Sequence, residues 1–376
     1  MAKSYHLSLD IAKGIPKTLL LNRQPSISHL RAKEGRVDHS MMKRPEDFRG
    51  KASFLLCGDT VFVTGGSGGL GKAISQQLAA RGAHITIFSR RPDALARARE
   101  EILSKCLTGD QEVNTVAIDM ADASKVDEAF RKQPRIADVL YCVAGGNHAE
   151  NGFLVDIKAQ ALESCMRNNY FTAVYAAKSL LDIWTEDDLK GPIHPRPDPR
   201  IRQIVFVTSA AAFLGSPGSI SYTPAKCATR AFADTLRLEV LRYCCPESTY
   251  SIHCAFPGDF VSPGFVFEQK TKTNLTKRIQ GLDGYTMSEL EARFPSSDKI
   301  ASLITSAVDR GDFIICDGSL AGSLLFTNMI GPSPKRGLGI VDSLLSVFTG
   351  CLLWPYLRWK WESMTRKDGE EHRRAR

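Results

Sequence analysis

Ser209, Tyr222 and Lys226 have the types and spacing of a group that gives a proton to a carbonyl. Tyr222 and Lys226 stand four apart in Tyr222-Thr223-Pro224-Ala225-Lys226, and Ser209 precedes Tyr222 by thirteen residues. On a helix, positions four apart share a face. An ammonium beside a phenol favours phenolate, so Lys226 is expected to lower the Tyr222 pKa from its ordinary value near 10. A tyrosine tuned toward neutral pH can act as general acid to a carbonyl that receives hydride, with Ser209 holding the carbonyl oxygen. Pro224 is compatible with a helix beginning near Ser221, because first-turn N–H groups have no intrahelical partner. Such a pair also occurs by chance on amphipathic helices. It acquires meaning from a second segment.

That segment is Thr64-Gly65-Gly66-Ser67-Gly68-Gly69-Leu70-Gly71. Val61 to Val63 read as a buried strand, and Lys72 to Arg81 as a helix with a stripe of Ala73, Ile74, Gln77, Leu78 and Ala80. Glycines between strand and helix suit a dinucleotide pyrophosphate, which would sit on the helix N-terminus. Gly65 is expected to make the tight turn, Gly69 to let backbone approach the pyrophosphate, and Gly71 to bring helix and sheet together.

The elements around these segments read as alternating strands and helices. His84 to Phe88 form the next strand, and Ser89-Arg90-Arg91 follow it with no carboxylate. An acid there would favour NAD, whereas an arginine can hold the 2′-phosphate of NADP. The alternative is that both arginines are ordinary surface residues. Asp119, after the strand Asn114–Ile118, either accepts from an adenine amino group or caps the helix near Ser124. Val139 to Gly146 form a fourth strand ending in the small residues Ala144, Gly145 and Gly146. Ile204 to Val207 form a fifth, and Phe313 to Cys316 the last. The expected fold is α/β, with a doubly wound parallel sheet.

Together these residues resemble the short-chain dehydrogenase/reductase family over roughly residues 57 to 320. The resemblance implies that Ser209, Tyr222 and Lys226 are catalytic and that Asn169 holds a water in the proton relay, Asn168 being its neighbour. It implies cofactor contacts from Thr64, Gly65, Ser67, Gly68, Gly69, Leu70, Gly71, Ser89, Arg90, Arg91, Asp119, Ala144, Gly145, Tyr222, Lys226, Pro257 and Gly258, and no metal. The sequence departs from the family at Cys142-Val143-Ala144-Gly145, where an Asn-Asn-Ala-Gly stretch is usual. Local packing is the property this puts in question. Within the family, Phe88–Arg91, Ala211–Gly215, Phe256–Phe260 and Pro263–Phe265 resemble the branch that reduces 3-ketodihydrosphingosine, the fungal forms in particular. That implies an NADPH-dependent reductase of a long-chain keto-lipid, on the endoplasmic reticulum membrane with its catalytic domain facing the cytosol. Reduction of a steroid, retinoid or acyl ketone is the alternative, and a non-catalytic nucleotide-binding scaffold a remoter one. The family also implies pairing of copies into a homo-oligomer through the helices that carry Asn169 and Tyr222.

The chain has 376 residues, 43% of them hydrophobic, which suits one large domain with extensions. Its ten cysteines contain no Cys-x-x-Cys, and Cys244-Cys245 is the one close pair, as in a reduced protein without zinc. Residues 1–50 are basic and lack a signal-length apolar run, so they read as a disordered extension, a mitochondrial presequence, or translation from an upstream start. Residues 51–320 are expected to form the reductase domain. Thr185 to Arg200, rich in proline, reads as a loop, and residues 266–298 as a mobile substrate lid. Phe265, Val266 and Phe267 either greet an alkyl chain or belong to the core.

Residues 321–376 are expected to associate with a membrane. Leu338 to Leu357 is apolar apart from Asp342, and a span needs about 20 such residues. Trp354, Tyr356, Trp359 and Trp361 suit an interface, and basic residues flank both sides, which favours an interfacial or re-entrant helix over a crossing. The alternative is a helix packed on the protein or on a second copy. The net charge of +8 fits an anionic membrane surface. No recognition motif accompanies it, so a nucleic-acid partner is not expected.

Overall fold

The structure, a computed structural model, describes residues 58–146, 151–191, 199–327 and 335–357, and positions 359, 360, 363, 364, 367 and 371. The expectations for residues 1–50 and for most of the proline-rich stretch lie outside these residues.

Seven strands form the sheet: β1 (Thr60–Thr64), β2 (His84–Ser89), β3 (Val113–Ala117), β4 (Val139–Cys142), β5 (Arg200–Val207), β6 (Ser248–Phe256) and β7 (Ile314–Cys316). Their order is β3-β2-β1-β4-β5-β6-β7, and every neighbouring pair is parallel. This is the expected doubly wound sheet. The helices on its faces are α1 (Gly69–Ala79), α2 (Pro92–Leu103), α3 (Ala123–Arg131), α4 (Ala159–Met166), α5 (Thr172–Lys190) and α6 (Tyr222–Glu239). Then come α7 (Pro263–Thr271), α8 (Asn274–Gln280), α9 (Met287–Arg293), α10 (Ser297–Asp309), α11 (Leu320–Thr327) and α12 (Ile340–Phe348).

All five residues of β1 are buried, as a central parallel strand covered on both faces requires. Side chains alternate across a strand, so Val61 and Val63 enter one core with Ile74, Leu78 and Ile304. Phe62 enters the other with Phe88, Leu140 and Phe206. Chain connections diverge on either side of the β1/β4 pair, which opens a crevice at the C-terminal ends of those strands. Thr64 pairs with Phe88 on one side and Cys142 on the other, so three strand ends are level at that crevice.

Two sequence expectations are corrected here. Thr185 does not begin a loop: α5 runs on to Lys190 and stops at Gly191, whose φ is +70°. Its inner face, ending in Ile183 and Trp184, stays buried and carries the helix past that point. The C-terminal part does not separate at residue 320, because Phe326 is buried and packs edge-on against Phe213, 6.0 Å away. Residues 266–298, expected as a lid, lie largely in α7, α8 and α9, around a small core of Phe265, Leu282 and Leu290. Phe265 belongs to that core and also lines the cavity with Val266, while Phe267 is exposed.

The apolar stretch continues from α12 through a π turn, Thr349–Leu353, and one helix over Ile340–Leu357 is long and apolar enough to cross a membrane. Only 11% of it is buried, so it does not pack as a core helix of this chain. Leu344, Val347, Phe348 and Leu352 are exposed. Asp342, the one charge in the stretch, is 3% exposed and held by Arg336, whose Nη2 donates to its Oδ1 at 2.7 Å.

Candidate active site

The glycine segment leaves β1 with Gly65 at φ +71°, and a Cβ there would lie 2.9 Å from Ala144 Cα. The turn and the close pass over the end of β4 both need glycine. Gly71 has a different neighbour from the expected one. A Cβ there would fall 2.4 Å from the Gly65 carbonyl oxygen, so Gly71 closes the loop on itself rather than seating α1 on the sheet. Gly65, Ser67, Gly68, Gly69, Leu70 and Gly71 line a cavity of about 1430 Å³ with the N-terminus of α1 at its wall. That exceeds the usual ligand pocket of roughly 300–1,000 Å³, leaving room for a dinucleotide and a second molecule. Nothing lies within 4 Å of a Cβ at Gly68, so its backbone is open to a phosphate. The residues present fit a dinucleotide.

Thr64 does not reach the cavity. It is fully buried, and its Oγ1 accepts from the Val143 and Ala144 N–H groups, each at 3.1 Å. Thr64 thereby staples β1 to the end of β4 and makes good the local packing that the absent asparagines put in question. Ala144 and Gly145 line the cavity as expected.

Ser67 Oγ donates to Ser89 Oγ at 2.8 Å, joining the glycine loop to the end of β2. Ser89, Arg90 and Arg91 line the cavity, both arginines are exposed, and neither forms an ion pair among the described residues. Asp119 is also at the cavity, and its Oδ1 accepts from Ala121 N–H at 3.0 Å. It does not cap the next helix. Asp122 does, accepting from Lys125 N–H at 3.2 Å, because it stands at the first residue before α3. Pro257 and Gly258 line the opposite wall.

Tyr222 is the first residue of α6, Ser221 precedes it, and Pro224 sits in the first turn. Ser209 lies just past β5, turned by a short 3₁₀ segment whose Ala211 N–H donates to its Oγ at 3.1 Å. The Ser209 hydroxyl faces Tyr222 closely enough to favour its phenolate. Lys226 is buried one turn below, its Nζ 5.5 Å from the Tyr222 ring centre and donating to the Val207 carbonyl at 3.3 Å. Ser209, Tyr222 and Lys226 thus meet at one cavity wall, as expected.

The expected lowering of the Tyr222 pKa is not found. Burial pushes the phenol up, the negative charge of Glu268 adds to that, and the Ser209 hydrogen bond opposes it without prevailing. Lys226 is itself pushed down to about 8 by burial. Taking both groups out of water disfavours each charged form, and this outweighs what one ammonium, turned toward a carbonyl, returns to the phenolate.

Asn169 is 1% exposed and does not line the cavity, whereas Asn168 does. It sits in a π turn, Arg167–Phe171, between α4 and α5. Its Oδ1 accepts from Gly146 N–H at 2.9 Å, and its Nδ2 donates to the carbonyls of Gly146 and Cys165, each at 3.0 Å. Both amide atoms of the expected water holder are thus engaged with backbone. Any part its side chain has in the relay runs through positioning.

The charged residues at the cavity that escaped the sequence reading include Asp259, Glu268 and Lys272. The available signal was the four-residue spacing of Glu268 and Lys272 just after Pro257-Gly258.

The short chain dehydrogenase family pattern matches residues 59–246. A 3-ketodihydrosphingosine reductase of Aspergillus fumigatus is 31% identical over 312 residues, covering 78% of this chain and 80% of the relative. A 3-dehydrosphinganine reductase of Danio rerio is 29% identical, covering 67% of this chain and 71% of its own. Among solved structures, an L-sorbose reductase from Gluconobacter frateurii, complexed with NADPH and L-sorbose, superposes with a TM-score of 0.55 at 22% identity. It covers 70% of this chain and 97% of that one.

Proposed function

From the premise that this chain belongs to the short chain dehydrogenase family, we propose that it uses NADPH to reduce the ketone of 3-ketodihydrosphingosine to the alcohol. The observation that carries this reading is the meeting of Ser209, Tyr222 and Lys226 at the wall of a cavity whose far end is a dinucleotide loop. The relatives named for that substrate, from fungi and animals, supply the substrate class.

The nicotinamide, when bound, supplies the hydride that the carbonyl carbon accepts. Ser209 orients the carbonyl oxygen by a hydrogen bond. Tyr222 gives that oxygen the proton of its hydroxyl, so the ketone gains one hydride and one proton. The raised pKa keeps Tyr222 protonated, and so able to donate, throughout the neutral range. Lys226 sits where its ammonium can offset the phenolate left behind. Asn169 positions the Ala144–Gly146 edge, and Asp119 stays a candidate for the adenine end. Ser67, Ser89, Arg90 and Arg91 make a cluster of hydroxyls and guanidiniums suited to a 2′-phosphate, which is why NADPH is preferred over NADH in this reading.

The exposed apolar helix supports an enzyme seated at the membrane that holds its lipid substrate. We place it at the endoplasmic reticulum with the catalytic cavity facing the cytosol. Steroid, retinoid and acyl ketones are the competing substrates.

The test is NADPH oxidation by the detergent-solubilised full chain with 3-ketodihydrosphingosine, with NADH and Tyr222→Phe as controls. Turnover that needs NADPH and Tyr222 is expected. No turnover with that substrate, while a steroid or acyl ketone is reduced, would overturn the assignment.

A further inference from the structure

Ser216, Thr223 and Gln280 carry polar atoms that the folded chain leaves without partners. The hydroxyls of Ser216 and Thr223 and the Oε1 of Gln280 are buried, and none of the three has a hydrogen bond among the described residues. All three residues line the cavity that Ser209, Tyr222 and Lys226 share. Buried hydroxyls and amides are nearly always paired, because an unpaired one has given up water for nothing. Neighbouring Thr276 shows the usual outcome: its Oγ1 donates to the Pro217 carbonyl at 2.7 Å.

Backbone bonds draw the three residues toward one place. The Ser219 N–H donates to the Ser216 carbonyl and the Thr223 N–H to the Ser219 carbonyl, each at 3.0 Å, so the chain from Ser216 to Thr223 winds in helix-like turns. Ser216, Ser219 and Thr223 fall along one side of those turns, and all of them line the cavity. Across from them stands α8. Thr276 meets the same loop at Pro217 and Gly218, and Gln280 lies one turn further along that helix face. The result is an edge of uncharged polar atoms that begins at the residue next to Tyr222. Elsewhere the cavity wall includes the apolar Leu214, Phe260, Val266 and Ile279.

An alkyl chain satisfies none of these atoms, and an ammonium is better met by a carboxylate. A neutral hydroxyl matches them, since it can accept from a Ser216 or Thr223 hydroxyl and donate to the Gln280 Oε1. A 3-keto sphingoid base has such a group on the short side of its ketone, a primary hydroxyl on the second carbon from the carbonyl. We propose that Ser216, Thr223 and Gln280 bind this hydroxyl, and so select ketones that carry it over steroid, retinoid and simple acyl ketones. This rests on the reductase reading above and names the substrate feature that the polar edge recognises. Binding the hydroxyl here also decides which end of the ketone faces the edge and which runs toward the apolar wall.

The experiment compares kcat/KM for 3-ketodihydrosphingosine and for the same ketone without its primary hydroxyl, using the full chain and NADPH. Wild type should favour the hydroxylated ketone by about tenfold or more, because the deoxy ketone strands all three atoms. Thr223→Val and Gln280→Met should each lower kcat/KM on the hydroxylated ketone by about tenfold, mostly through KM, and on the deoxy ketone by less than about threefold. The preference should thereby shrink. Ser216→Ala should act in the same direction and serves if either of the others does not fold. Retained turnover of the deoxy ketone reports folding in each variant. Equal kcat/KM for the two ketones in wild type, or equal losses on both in the variants, would mean that water alone satisfies these atoms. Either result overturns the seat and leaves the reductase reading standing. A wild-type enzyme that reduces neither ketone, while oxidising NADPH with a steroid or acyl ketone, overturns both.

Discussion

Thr276 occupies the space that a side chain on Gly218 would need. A Cβ at Gly218 would lie 2.1 Å from Thr276 Oγ1, and that same hydroxyl donates to the Pro217 carbonyl at 2.7 Å. Gly218 also has φ +89°, a conformation that side chains resist. The contact joins α8 to the loop that enters α6, four residues before Tyr222.

Gly218→Ala should therefore push α8 from that loop. We expect an increase of about tenfold in KM for the lipid ketone, with NADPH affinity little changed, because the contact is remote from the glycine loop. Steady-state kinetics with each substrate varied in turn would check this. An unchanged lipid KM would show that α8 does not depend on the contact.

Asn169 binds Gly146 through both of its amide atoms, so Asn169→Ala should strand a half-buried backbone N–H and a carbonyl. The expected loss is about 1–3 kcal/mol of stability, read as a lower Tm, together with weaker NADPH binding. Loss of activity with stability and cofactor affinity intact would instead indicate a direct role in the relay.

Lys226 is buried with its pKa depressed from 10.5 to about 8. Between those values the unfolded chain binds more protons than the folded one, so stability rises with pH across that window. Below about 8 the penalty is fully present. Lys226→Met should accordingly stabilise the protein by about 1–3 kcal/mol at pH 7, with the gain fading toward pH 10.5. Activity should fall by about 100-fold or more. Denaturant unfolding at pH 7 and pH 10 would check both ends, and a variant less stable than wild type at pH 7 would count against the assigned burial cost.

Arg90 and Arg91 stand at the end of β2 beside the linked Ser67 and Ser89 hydroxyls. An Arg90→Ala, Arg91→Ala double variant should lose about 10- to 100-fold of its preference for NADPH over NADH. The measurement is kcat/KM for each nucleotide. If the ratio stays constant, the arginines are surface residues only.

Removal of residues 338–376 should release the protein from vesicles containing anionic lipid. Replacing Leu344 and Val347, both exposed, with aspartate should weaken flotation while leaving turnover of a detergent-dispersed substrate largely intact. A truncated chain that still floats completely would place the membrane contact elsewhere.

Much of this protein is determined by local sequence. Strand periods, the glycine turn before α1, and the Tyr222–Lys226 spacing depend on residues near one another in the chain. A run of buried β residues or a first-turn proline has the same meaning wherever the chain goes. The alternating βα order also restricts the sheet to a few topologies, so the doubly wound parallel sheet was legible in the sequence.

Tertiary structure decided the rest, because it depends on which distant groups share a space. Thr64 looked like part of the nucleotide loop, and the fold turns it inward to staple β4. Asn169 looked like a water holder, and a π turn aims its amide at Gly146. Tyr222 looked acidified by Lys226, yet the burial that brings them together raises the one and lowers the other. Desolvation is a property of the assembled site and has no counterpart in residue spacing. The same holds for Asp259, Glu268 and Lys272, which meet at the cavity only once the chain is folded.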